Sequence, residues 1–432
     1  MEALKKLLAN PTLKKKILYT FAFLALYRFL VFVPVPFADI DVLVNFTNLE
    51  NSSLSYFALL LGGTLDQFSL LAVGLAPYIN ASIIIQLLTG VIPSLEQLQE
   101  EGEAGTKKIG QITRRLTFPL AFLQGIGVSY FVNYYLGGNA IDLTRSTIML
   151  VALVMSFGSL LLVWIGDLIT EHGIGNGTSM IIFASIVAGI SSSLYSSVSS
   201  ASSPLSISLF ILVFIGLLVL LCIFLVKTMK EIPVIYARQG KVQQTSILPF
   251  PLNPVGMVPI IFAIAFVSFP YLISQLFSKF GGATEGLKNS ADWIEAQFNI
   301  YSNNPSWLTI IVYFVLVVFF TFFYALVQFN PEKISDNIQK RGGYIPSIRP
   351  GKETVTYITK VISHLCFWGG LGLGLLACYS YLLNRIPLLQ NLFQGFGTIP
   401  VIVTGSGIII IVGVVQDIMN KVKSEHYMNE LD

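Results

Sequence analysis

Charge is scarce in this chain. Only 11% of its 432 residues are Asp, Glu, Lys or Arg, where a soluble globular domain carries about 25%. At the same time 54% of the residues are hydrophobic. A water-soluble core cannot hide that much apolar surface, so lipid is the expected solvent. Histidine and cysteine number three each. His172, His364 and His426 are scattered and build no ligand cluster with Cys222, Cys366 and Cys378, which argues against a metal site. The odd cysteine count, in or beside apolar runs, fits reduced packing residues rather than a disulfide framework. No HExxH, GxSxG or Walker A sequence occurs. The GIGNG segment, residues 173–177, follows no strand and lacks the dinucleotide spacing. The chain is therefore expected to be no enzyme and to need no cofactor. A net charge of +3 is too small to point to nucleic acid.

What is abundant is long apolar runs. A spanning helix needs roughly 20 predominantly apolar residues, and ten segments qualify: 17–33, 70–92, 116–136, 147–165, 177–190, 205–226, 255–276, 308–328, 361–383 and 399–419. The first follows Lys14–Lys16 as a signal peptide would. It ends in Pro34-Val35-Pro36 with no small-x-small cleavage site and is interrupted by Arg28, so it reads as a retained span. The stretch 54–65 is apolar but too short to cross. A segment of that length is re-entrant or interfacial, and a re-entrant one needs protein or a water-filled cavity around it.

Basic residues orient the spans. With the N-terminus taken as cytoplasmic, twenty-one of the 26 Lys and Arg residues fall on that side and four on the other. Two cytoplasmic segments are long, 227–254 and 329–360. The serine-rich, uncharged stretch 191–204 links two five-helix halves, residues 1–190 and 205–432. Each half carries a proline in its second span, Pro77 and Pro259. This is slight internal symmetry of a kind that inverted transporter repeats also show.

The spans themselves hold almost no charge. An ionised group at the bilayer centre costs about 2.5–3.5 kcal/mol on insertion scales and is kept mainly for function. Only Arg28 and Asp417 are candidates, and neither looks like an ion-coupling site. An ion-coupled transporter of a small solute thus stays as the alternative, with a poreless scaffold or insertase as a third reading. Gly370 and Gly374 form a small-xxx-small pair, expected to mark close helix packing.

Five segments carry a resemblance. They read APYINASIIIQLLTG (76–90), EGEAGTKKIGQITRR (101–115), ITEHGIGNGTSMIIFASIVAGI (169–190), NPVGMVPIIFA (253–263) and FNPEKISDNIQKRGGYIPSIRPGKET (329–354). In order and spacing they resemble the SecY family, channel subunit of the Sec protein translocase. The resemblance covers nearly the whole chain. It implies an all-α integral membrane protein with ten transmembrane helices in two pseudo-symmetric halves plus a short re-entrant plug helix, residues 56–67. It implies an hourglass channel for unfolded polypeptide whose waist is an apolar ring: Leu75, Ile79, Thr178, Ile182, Ile261 and Ile410. Such a constriction gates by dewetting and offers passing side chains no specific hydrogen bond. Thr178 departs from the aliphatic residue usual in the family. The plug would include Tyr56, Phe57, Leu60, Gly62, Gly63 and Leu65. Spans two and seven would face each other as a lateral gate, with Gln86 and Asn176 as polar contacts. Arg349 in the IRPG turn, with Arg238 and Lys241 in the other long loop, would dock a motor ATPase or ribosome. Gln243 and Gln244 stand where arginines are common. The implied partners are SecE, SecG, SecA, the ribosome, signal peptides, nascent chains and the lipid bilayer. The implied location is the bacterial inner membrane with both termini cytoplasmic.

Overall fold

In lipid a backbone must satisfy its own hydrogen bonds, so charge-poor apolar runs coil into helices. The computed structural model describes residues 11–36, 69–135, 145–199, 204–236, 244–253, 255–279, 285–300, 305–385 and 405–431. In chain order the helices are α1 (Pro11–Val31), α2 (Ala76–Thr89), α3 (Pro93–Glu100), α4 (Glu103–Tyr135), α5 (Arg145–His172), α6 (Gly177–Ser199) and α7 (Pro204–Lys227). Then follow α8 (Val258–Lys279), α9 (Glu285–Phe298), α10 (Trp307–Gln328), α11 (Pro331–Lys340), α12 (Lys352–Arg385) and α13 (Gly405–Leu431). Each of the ten expected spans has a helix at its place: α1, α2, α4 to α8, α10, α12 and α13. By length and composition alone, four stretches among the described residues suffice to cross a bilayer: Ser146–His172, Trp307–Lys340, Lys352–Leu383 and Gly405–Ser424. On α7, Leu209, Leu212, Leu217, Leu220 and Phe224 are 60–71% exposed. A stripe that apolar on the outside of a helix belongs against lipid.

The second span differs from its expected 70–92. Its helix starts only at Ala76 and ends at Thr89, about 21 Å at 1.5 Å per residue. The α3 helix then departs at 103°. Residues 69–75 are buried turns instead. The Leu70 amide donates to the Val33 carbonyl (2.9 Å), and Ala72 and Gly74 donate to Ser69 and Leu71. The Ser159 hydroxyl donates to the Gly74 carbonyl at 2.9 Å. Gly74 stands at φ 61°, which stops helix from running upstream, and Pro77 in the first turn starts it. The fifth span is longer than 177–190: α6 runs on to Ser199, because residues 191–199 contain no glycine or proline to stop it. Most of the expected 191–204 linker is therefore helix.

Helix pairs meet through small residues. A Cβ on Gly177 (α6) would lie 1.8 Å from the Gly166 carbonyl oxygen (α5), and one on Gly125 (α4) 3.1 Å from Ala152 Cα (α5). Gly370 and Gly374 of α12 abut Val318, Thr321 and Phe314 of α10. The close packing expected of that pair is present. Lipid tails are as apolar as leucine, so such backbone proximity is what holds membrane helices together.

The two long loops are not irregular. Strands β1 (Met229–Tyr236) and β2 (Gln244–Pro251) pair antiparallel across their full length. The short β3 (Gly343–Tyr344) adds to β1, pairing Ile235 with Tyr344 and Tyr236 with Gly343. A small sheet thus joins the helices among the described residues. Ile232, Val234 and Phe250 of the sheet pack with Ile338, Ile345, Ile358 and Cys366 in one core. Helix α11 is capped by Asn330, whose side-chain oxygen accepts from the Lys333 amide.

Candidate functional site

The turn at Gly74 delivers Leu75 to the start of α2, where its carbonyl accepts the Ile79 amide at 3.0 Å. Leu75 and Ile79 then lie one helical turn apart. Ile182 comes from α6, Ile261 from α8 and Ile410 from α13. These five side chains pack into a single apolar cluster, with Leu75 and Ile410 buried and the other three half-buried. Residues from four helices, drawn from both ends of the sequence, therefore share one apolar cluster. Met257, which the sequence reading did not single out, is buried in the same cluster.

Thr178 is held differently. Its hydroxyl donates to the Asn176 side-chain oxygen at 2.6 Å, and its methyl lies 3.2 Å from where a Cβ on Gly166 would stand. Asn176 is the cap of α6, since its oxygen also accepts from the backbone amides of Thr178 and Ser179. The GIGNG segment is thus a helix-start device. Gly175 takes φ 88°, the Gly177 amide donates to the Thr170 hydroxyl, and the Ile174 amide donates to Thr20 of α1.

Helices α2 and α8 touch, and Ile79, Ile83 and Leu87 of α2 share a cluster with Ile260, Ala263 and Val267 of α8. Gln86 sits three residues beyond Ile83, on the same side of α2. Its amide nitrogen reaches the Ser82 hydroxyl at 3.4 Å, and its oxygen is buried with no hydrogen-bond partner among the described residues. An orphaned buried acceptor costs about 1–3 kcal/mol.

Arg349 is exposed on a tightly wound turn. Its amide donates to Glu353 (3.4 Å) and its carbonyl accepts from Thr354 (2.9 Å). Ser347 and Gly351 both take positive φ, 66° and 100°. Arg238 and Lys241, Gln243 of the same loop, and the plug segment with Tyr56, Phe57, Leu60, Gly62, Gly63 and Leu65 lie outside the described residues. Asp167 of α5, not singled out from sequence, forms an ion pair with Arg114 of α4 at 3.0 Å.

The SecY family profile matches residues 69–419. The chain belongs to the SecY family. Among its relatives is the protein translocase subunit SecY of Bacillus licheniformis, 36% identical over 431 residues, covering 96% of this chain and 94% of the relative. The Bacillus subtilis subunit is 35% identical with the same coverage, and that of Staphylococcus carnosus 33%, covering 95% and 94%. Solved structures share the fold at lower identity. A SecY structure described for a plug domain that stabilises its closed state has a TM-score of 0.64 at 18% identity, covering 96% of this chain and 93% of that one. The Sec61 channel of a canine ribosome–channel complex scores 0.57 at 17%, with the same coverage. Membership in the SecY family and the apolar helices make this a multi-pass protein of the bacterial membrane.

Proposed function

We propose that this chain is the protein-conducting channel of the Sec translocon, passing unfolded secretory polypeptides across the membrane and releasing signal or transmembrane segments sideways into lipid. The observation that carries this is the packing of Leu75, Ile79, Ile182, Ile261 and Ile410, from four helices, into one apolar cluster. A constriction lined this way excludes ions by dewetting when idle. These five aliphatic side chains have no donors or acceptors with which to select one sequence over another. Thr178 is the sixth ring position. The segment 56–67 seals the outer side of the ring.

The halves 1–190 and 205–432 part along α2 and α8, and Gln86, with its orphaned oxygen, favours a seam able to open. Asn176 holds the start of α6 beside that seam. On the basic side, taken as cytoplasmic together with both termini, Arg349 with Arg238 and Lys241 binds the SecA motor or the ribosome. SecE and SecG complete the membrane complex. The chain performs no catalysis, so its partners or the membrane potential supply the work. An ion-coupled transporter would need a midplane carboxylate. Asp167 is already paired with Arg114 and Asp417 is exposed near the end of its span.

The test is disulfide crosslinking of a stalled secretory chain to cysteines placed at Leu75, Ile79 and Ile261 in the assembled translocon, with Cys222, Cys366 and Cys378 replaced. Adducts at all three are expected. A stalled chain that joins none of them overturns the reading.

A further inference from the structure

The start of α8 repeats the start of α2. Residues 73–81 read Val-Gly-Leu-Ala-Pro-Tyr-Ile-Asn-Ala, and residues 255–263 read Val-Gly-Met-Val-Pro-Ile-Ile-Phe-Ala, with Val, Gly, Pro, Ile and Ala at the same five places. The likeness extends to conformation. Gly74 and Gly256 take φ 61° and 70°. The carbonyl of Leu75 accepts the Ile79 amide at 3.0 Å, and that of Met257 accepts the Ile261 amide at 3.4 Å. Ala81 and Ala263 are both wholly buried, while Leu75 and Met257 are 6% and 5% exposed.

By this correspondence Ile261 is the counterpart of Ile79, and Met257 is the counterpart of Leu75. Met257 packs in the same apolar cluster as Leu75 and Ile410. Its Cβ and Sδ lie 3.6 and 3.7 Å from where a Cβ on Gly413 would stand, and Gly413 is one helical turn beyond Ile410 on α13. The side chain therefore bridges α8 and α13 at the depth of the ring.

We infer that Met257 is a further member of the constriction and touches the translocating polypeptide, as the pseudo-symmetric partner of Leu75. Its chemistry suits the place. An unbranched thioether with three rotatable bonds adapts to irregular neighbours better than a β-branched isoleucine does. It gives the waist one compliant wall that re-packs around side chains of different size and closes again behind them.

This inference rests on the channel reading, and the experiment separates the two. In the assembled translocon, with the three native cysteines replaced, a stalled secretory chain bearing one cysteine is oxidised against Met257→Cys, Ile79→Cys and Met155→Cys. Met155 is fully buried in a different cluster on α5. Met257→Cys is expected to give adduct in yield comparable to Ile79→Cys, with Met155→Cys at background. Background yield at Met257 alongside adduct at Ile79 overturns the inference and leaves the channel standing; background at both overturns both. Should Met257→Cys fail to assemble, a stalled chain carrying a diazirine side chain is photolysed in the unaltered protein and its adducts are mapped by mass spectrometry. Label on Met257 itself supports the inference, and label at Leu75, Ile79 and Ile261 without it overturns the inference.

Discussion

The helix bundle and the lobe built from the two long loops obey different physics. The lobe follows the rules of proteins in water. It has an antiparallel pair of strands, an apolar core of Ile232, Val234, Phe250, Ile338 and Ile358, and a helix with an asparagine cap, a proline in its first turn, Glu332 near its start and Lys340 near its end. The bundle has few such devices. Helix α2 has no side-chain cap and no acidic or basic residue at either end, and α7 exposes Leu209, Leu212, Leu217 and Leu220. Its cohesion is close approach at glycine: backbone against backbone at Gly166 and Gly177, and Phe314 and Thr321 side chains seated on Gly374 and Gly370. The contrast teaches that the solvent decides what counts as an interaction. Burying isoleucine stabilises where water is the alternative; where lipid is the alternative, closeness does.

The strongest way to break this contrast is Gly177→Val. Its Cβ would fall 1.8 Å from the Gly166 carbonyl oxygen, backbone that cannot move aside. A loss of about 3 kcal/mol or more is expected from such overpacking, seen as loss of the thermal transition of the purified protein in detergent. Gly110→Ala, with nothing within 4 Å of its new methyl, should leave that transition unchanged or slightly raised. If the two variants melt alike, glycine proximity is not what holds the bundle.

Next in size is Ile232→Ala in the lobe, where the side chain is 1% exposed. A cost of about 2–4 kcal/mol is expected, confined to the lobe. Limited proteolysis should cut within 229–251 and 331–351 while the bundle stays protease-resistant. Simultaneous loss of both regions would show them to be one cooperative unit. The smallest effect on stability belongs to Arg349→Glu. An exposed substitution of this kind changes stability by roughly 0.5 kcal/mol or less, yet the docking proposal requires motor-driven translocation into vesicles to stop. Unimpaired secretion by a stable Arg349→Glu protein would remove Arg349 from the docking surface.

Family likeness names Ile79, Ile182, Ile261 and Ile410 as ring positions, and the structure puts them in one apolar cluster; that they line a passage belongs to the proposal. Their convergence could not be read from periodicity, since an isoleucine facing a ring and one facing a neighbour helix look alike in a one-dimensional pattern. Thr178 and Asn176 show the converse. Their types and the Asn-Gly-Thr order already spell a helix start, and the capping bonds at α6 follow from local chemistry. The signal for Met257 lies in the sequence as well, in the Val-Gly that precedes both Pro77 and Pro259 by the same spacing.

The chain's order of apolar runs and its scarcity of charge determined that it lives in lipid and roughly where its helices lie. These are properties of contiguous residues against a solvent, and a sequence records them directly. Tertiary structure alone decided that α2 begins at Ala76 rather than Leu70, that loops a hundred residues apart share one sheet, and that isoleucines from four helices share one apolar cluster. Each of those depends on which distant segment supplies the neighbouring backbone, and that choice is settled by packing in three dimensions.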